Sequence, residues 1–161
     1  MINFPKPADT LAGINKFWFT PADNIGAMGD VINNQLQGLT FSSGNDWLTG
    51  FGVYNTRSFS EQKKETAAGI YFARSFKMFY PGFSQAVINQ LELMKLRRFI
   101  IAFKDNNGLF KIAGTPDNPL NFTYKLRTGK SGSDAQGIEI EFYSNARSRI
   151  MSVAGEDIGV I

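Results

Sequence analysis

Five groups of residues in this chain have types and spacing that chemistry could use. Glu139 and Glu141 alternate with Ile138, Ile140 and Phe142, which puts both carboxylates on one face of an extended strand. Such a pair suits an oxygen-liking cation or an acid/base couple, but on an amphipathic strand it is more simply the solvated side. Ser60-Glu61-Gln62-Lys63 has the Ser-x-x-Lys spacing of a Ser–Lys nucleophile, which needs a helical turn to bring the amine to the hydroxyl. Here it lies in a polar strand or loop, with no SDN or KTG partner in the chain. Thr128-Gly129-Lys130-Ser131 ends like a phosphate-binding loop, yet the first glycine that loop requires falls at Tyr124. Asp105-Asn106-Asn107-Gly108 offers oxygen ligands without the length or closing Glu of a calcium loop. Finally, residues 71–77 interleave aromatic and basic side chains, as a base-stacking surface does. Phe72 and Phe76 share one face and Lys77 the other, the pattern of a strand with a core side.

The remaining composition narrows the chemistry further. Among 161 residues there is no His and no Cys. Imidazole bases, thiolate nucleophiles, disulfides and Cys/His zinc sites are therefore excluded. No catalytic set emerges, and the expectation is a protein with no enzymatic activity, no cofactor and no metal, whose role is made of surfaces. Lys and Arg exceed Asp and Glu by 17 to 14, a net +3 too mild for the dense basic stripe of a nucleic-acid binder. The first thirteen residues lack a basic head followed by an apolar run, and no stretch reaches the roughly 18 apolar residues of a membrane span. Synthesis in a cytoplasm and no membrane contact are expected. Asn121-Phe122-Thr123 is then a chance glycosylation triplet.

Strands must position these groups. Residues 1–13, with Pro5 and Pro7, predict an extended N-terminal arm; residues 14–144 a single β-rich domain; residues 145–161 a C-terminal tail with little pattern. Within the domain, residues 14–20 alternate with aromatic content and stop at Pro21, while 22–34 look irregular. Residues 36–42 and 47–56 are β-like, and Gly50 and Gly52 suggest a bulge or a close backbone approach. From Ile70 to Tyr80 the period is two, and the polar lead SEQKKET (60–66) predicts a long strand, over 58–80, that projects beyond its sheet. After Pro81-Gly82, Phe83, Ala86, Val87, Leu91 and Met94 recur at helical spacing, which predicts a helix over 83–96. Lys95, Arg97 and Arg98 complement the dipole at its C-terminal end. Residues 98–104 and 109–113 flank the turn at 105–108 and predict a hairpin. Strands over 120–126 and 138–143 follow. The fold class is mainly β (α+β), an antiparallel β-sandwich or barrel with one flanking helix.

Three stretches resemble small tail or tail-tube-like virion proteins of tailed phages and prophages of Bacteroidetes. They are INKFWFTPADNI (14–25), then Phe59, Glu61 and Gly69 ahead of the helix, and finally residues 99–142. The last carries a hairpin, a Gly-x-x-x-x-Pro-Leu turn (Gly114, Pro119, Leu120) and a Thr-Gly loop (Thr128, Gly129).

The resemblance implies a tail-tube-like sandwich or barrel with a flanking helix. Subunits would be assembled in the host cytoplasm into rings of sixfold or related symmetry, as a tube, connector or baseplate part of the virion tail. Its partners would be further copies of itself and other tail or connector proteins, with DNA at most in transit through a lumen. The net positive charge departs from the family, whose lumen is expected to repel DNA. Assembly is assigned to the polar strand extension, Ser58, Phe59, Ser60, Glu61, Gln62, Lys63, Lys64, Glu65 and Thr66. Two other classes stay open. One is a soluble β-barrel enclosing a small apolar ligand among its fifteen Phe. The other is a β-surface binder of single-stranded nucleic acid.

Overall fold

Residues 99–103 are five consecutive apolar side chains, a run that cannot alternate between core and water, and all five are buried. The computed structural model describes residues 11–82, 84–129 and 134–160. Its strands, in chain order, begin with β1 (Ile14–Pro21), β2 (Ile25–Met28), β3 (Val31–Ile32), β4 (Gln35–Leu36), β5 (Leu39–Phe41) and β6 (Leu48–Thr49). Then come β7 (Ser58–Thr66), β8 (Gly69–Pro81), the helix α1 (Gln85–Met94), β9 (Phe99–Asp105) and β10 (Phe110–Ala113). The chain closes with β11 (Asn121–Arg127), β12 (Gly137–Ala146) and β13 (Met151–Val153).

These strands form a seven-stranded sheet in the order β3-β4-β13-β10-β9-β1-β6 and a four-stranded sheet in the order β11-β12-β8-β7, with β2 and β5 paired separately. All pairings are antiparallel except β13 with β4. The fold is thus mainly β with one helix, as expected. One face of β1 and β9 packs on the four-stranded sheet through Phe17, Phe99, Ile101, Phe103, Phe76, Ile138, Ile140 and Phe142. Phenylalanine rings fill this space, with Phe17 and Phe76 4.9 Å apart and Phe99 meeting Phe142 edge-on at 5.4 Å. The opposite face of the larger sheet carries Trp18, Ile100, Ala102 and Ile112, covered by Ile25 and Phe41 and by Ile158 and Val160. Trp47 closes that side by donating its indole N–H to the Ile158 carbonyl at 2.7 Å. Two cores back to back explain why β9 is apolar on both faces.

Several elements differ from their sequence-based boundaries, each for a physical reason. The single long strand over 58–80 is a hairpin, β7 and β8, turned at Ala67-Ala68; without an Asn-Gly pair, only Gly69 marks the turn. The helix ends at Met94, short of 96, and Ser84 caps it by accepting from the Val87 N–H; Phe83 lies outside the described residues. The irregular stretch 22–34 contains β2 and β3, the latter turning through Asn33 and Asn34, both with positive φ (51° and 64°). The strand expected over 36–42 is split by Gly38 between β4 and β5, and that over 47–56 shrinks to β6. Gly50 does mark a close approach, because a Cβ there would lie 1.9 Å from the Phe17 ring.

The segment after residue 144 is not an appendage. It completes β12, supplies β13 to the larger sheet and buries Ile158 and Val160. A three-residue strand is too short to show a period. Residues 1–10 of the expected arm lie outside the described residues; Leu11 and Ala12 are held by the β9–β10 turn.

Candidate assembly surface and the projecting hairpin

The nine residues assigned to assembly divide at Glu61. Phe59 turns inward, its ring tilted against Phe103 at 5.1 Å and packed against the core. Glu61 also faces inward and meets its cross-strand partner Arg74 at 2.9 Å, with side chains only 13% and 2% exposed. Ser58 and Ser60 line the outer face of the sheet, opposite Lys77 and Ser75. From Gln62 to Thr66 every residue is exposed.

The register explains the change. β12 accompanies β8 only as far as Phe72, which faces Ala146. Lys64, Glu65 and Thr66 pair with Tyr71, Ile70 and Gly69, and with nothing else in the sheet. Lys64–Thr66 therefore carry the hairpin about 10 Å past the sandwich, at ~3.4 Å per residue, before the Ala67-Ala68 turn. β7 also ends the sheet, so among the described residues no strand pairs its outer edge. On the far side, β11 is the other edge.

The outer face of this sheet holds the carboxylate pair. Glu139 is bound by Arg127 at 2.8 Å, and Glu141 accepts from the Ser75 hydroxyl at 2.5 Å with Lys77 at 3.8 Å. Both carboxylates are thus neutralised by cations on neighbouring strands, and Lys125 adds a further positive charge beside Glu139. A concavity of about 1060 Å³ lies over this face, lined by Lys77, Phe79, Lys125 and Arg127 and by the loop residues Thr128 and Asp134.

The other groups singled out from sequence have structural surroundings. Ser60 and Lys63 sit on opposite faces of an extended strand, where a Ser–Lys couple cannot form. Of the phosphate-loop look-alike, Thr128 and Gly129 follow β11, and residues 130–131 lie outside the described residues. Asp105 accepts from the backbone N–H groups of Asn107 and Leu109, both at 2.9 Å, and so closes its own turn. In the aromatic–basic run, Phe76 is fully buried and the Arg149 guanidinium lies 5.8 Å above Phe72.

A surface cluster joins the helix to β11. Tyr124 donates its hydroxyl to Glu92 at 2.5 Å, and Lys95 also bonds the same carboxylate. Lys95 first, then Tyr124, holds the Glu92 carboxyl below its ordinary value. The same contacts raise Lys95 and the Tyr124 phenol. Lys95 is therefore engaged one turn back as well as near the helix end.

Sequence reasoning missed three polar anchors. Arg74 is the buried counterpart of Glu61; only a basic residue in a strand's core-facing register signals it. Arg57 donates to the Asn15 and Gly52 carbonyls at 2.6 and 2.7 Å and lies over the Phe17 and Tyr54 rings. Asn106 accepts from the Tyr54 hydroxyl at 2.6 Å and donates to the Ala12 carbonyl at 2.5 Å.

No protein-family model, no curated protein and no solved structure matches this chain. No helix among the described residues is long and apolar enough to cross a membrane.

Proposed function

We propose that the protein is a non-enzymatic structural subunit of a phage tail or tail-like particle, self-assembling into rings through the edges of its four-stranded sheet. The observation that carries this reading is the β7–β8 hairpin, which projects beyond the sandwich with no strand among the described residues on the outer edge of β7. An open edge is a template for adding a strand from another chain. The two edges of this sheet, β7 and β11, run in opposite directions because the sheet has four antiparallel strands. Repetition of the subunit about an axis along the strands would therefore set β7 antiparallel to β11 of the next copy. Each junction is then heterologous, and rotation closes it into a ring rather than leaving it open-ended.

In such a ring one face of the four-stranded sheet turns toward the axis. Its outer face has its two carboxylates neutralised by Arg127 and Lys77, so it presents a weakly basic wall. The virion tail is the place of function in this reading, and other copies and neighbouring tail proteins are the partners.

The test is replacement of residues 64–71 by Asn-Gly, which joins the facing residues Lys63 and Phe72 by a tight turn. This change spares Phe59 and Glu61, which deletion of all of 58–66 would remove from the core. Native mass spectrometry and negative-stain microscopy of the parent at high concentration should show rings, and the shortened variant should stay folded and monomeric. A parent that remains monomeric, or a shortened variant that still closes rings, overturns the reading.

A further inference from the structure

At the point where the hairpin leaves the sandwich, a charged joint ties it to the segment that crosses between the sheets. Glu61 Oε2 accepts twice, from Arg74 Nε at 2.9 Å and from the Ile150 backbone N–H at 2.7 Å. Arg74 Nη2 donates to the Ser148 carbonyl, and the Arg149 guanidinium lies 5.8 Å over the Phe72 ring. Ile150 is gripped from its other side too, since its carbonyl accepts from Asn34 Nδ2 at 2.9 Å. Residues 147–150 run from the end of β12 in one sheet to the start of β13 in the other. A single row of contacts thus links the hairpin root, the crossover and the β3–β4 turn.

We infer that Glu61 and Arg74 are positioning residues that latch the hairpin to the crossover at 147–150 and so fix the direction in which it projects. The inference rests on the assembly reading for its purpose, but its geometry stands alone. Beyond Phe72 the hairpin has only its own two strands, and an isolated two-stranded ribbon is marginal in water. Its direction must be set at its root. Apolar packing there would be non-directional. A nearly buried ion pair is instead a poor source of net stability, because desolvation offsets its attraction, yet it demands one geometry. Two strand-borne side chains that also bond the backbone of a third segment resist both tilt and twist. With the hairpin held, the edge of β7 is presented in one pose, and the ordering cost of joining a neighbour falls.

The experiment uses the full chain, whose lack of cysteine allows clean spin labels at Ala68→Cys in the turn and Thr123→Cys on β11. Pulsed dipolar spectroscopy on the labelled parent should give one narrow distance distribution. In E61L/R74M both charges go together while packing volume stays, so no lone buried charge remains and the protein should stay folded, but the narrow distribution should be lost to a broad one. The charge-swapped E61R/R74E keeps a cross-strand pair but aims a carboxylate at the Ser148 carbonyl, and it should not restore the narrow distribution. An unchanged distribution in E61L/R74M overturns the latch. A narrow distribution in E61R/R74E also overturns it, reducing the pair to an ordinary cross-strand contact. If the parent forms no rings, the assembly reading fails while these distances still decide the latch. If it does, E61L/R74M should form rings more slowly than the parent.

Discussion

The β9–β10 hairpin buries residues 99–103 on both faces of its sheet, whereas the β7–β8 hairpin carries residues 62–70 out into water. Both are antiparallel pairs joined by short turns. What separates them is the composition of the leading strand, FIIAF against SEQKKET, and the fate of the tip. At the β9–β10 tip, Asn106 and Asn107 hold residues 11–12, and Asn106 takes the Tyr54 hydroxyl. At the β7–β8 tip residues 62–70 are all exposed, and the hairpin is gripped at its root by Glu61 and Arg74. One hairpin is a structural centre with a tethered end. The other is an arm with a fixed base, and the difference teaches that pairing alone does not decide whether a strand belongs to the core.

Substitutions along the two hairpins should break this contrast in graded steps. The largest effect is expected for Phe103→Ala in β9, which opens a cavity against Phe59 and Phe76 and should cost about 3–5 kcal/mol in urea unfolding. Arg74→Leu comes next, because it leaves the nearly buried Glu61 carboxylate without its cation; about 3 kcal/mol of destabilisation is expected by the same measurement. Asn106→Ala removes two side-chain hydrogen bonds from the tethered tip and should cost about 1–2 kcal/mol. Asn107→Ala, which removes the acceptor of the Leu11 N–H, should speed amide exchange at Leu11. Lys64→Ala in the projecting arm should stay within about 0.5 kcal/mol of the parent. A large loss there would place the arm in the folded core and erase the contrast.

The smallest effect is a pH dependence at the helix. The Glu92 carboxyl is held below its ordinary value in the fold, first by Lys95 and then by Tyr124. Its contribution is complete above the unfolded carboxylate pKa and is lost as pH falls through the folded one. The Tyr124 phenol and the Lys95 amine are raised, so their contributions hold below their ordinary values and are lost as pH rises through the raised ones. The difference in unfolding midpoint between parent and Glu92→Gln should therefore be greatest near neutrality and shrink toward both extremes. A difference independent of pH would assign the cluster to packing alone.

Much of this was legible in the residues. The turn at 105–108 announced its hairpin through Asp105 and Gly108, though the two Asn act through their side chains and only Gly108 takes a positive φ. The helix was legible because Val87, Leu91 and Met94 recur on one face, and its end was not, because no Gly or Pro follows Met94 to mark a stop; Leu96 lies off that face and is 80% exposed. The hairpin at 58–81 was half legible. Its polar lead and alternating return were plain, but Ala67-Ala68 carries no turn chemistry. The candidate surface was legible as a polar extension, and the root that holds it was not, since an Arg in core register reads as an exception until its partner is known.

Composition and periodicity by themselves determined that the chain would be mainly β, that residues 98–104 would be a strand of a hairpin, and that neither imidazole nor thiolate chemistry was available. These follow from local rules, the transfer of side chains from water and the period of a strand. Only the tertiary structure decided that the last residues complete a second core, that Glu139 and Glu141 are each neutralised from a neighbouring strand, and that Glu61 meets Arg74 and Ile150. The Glu61–Ile150 contact joins residues 89 positions apart, and the Trp47–Ile158 bond of the second core joins residues 111 apart. Their geometry depends on strand order and register, which no local pattern encodes.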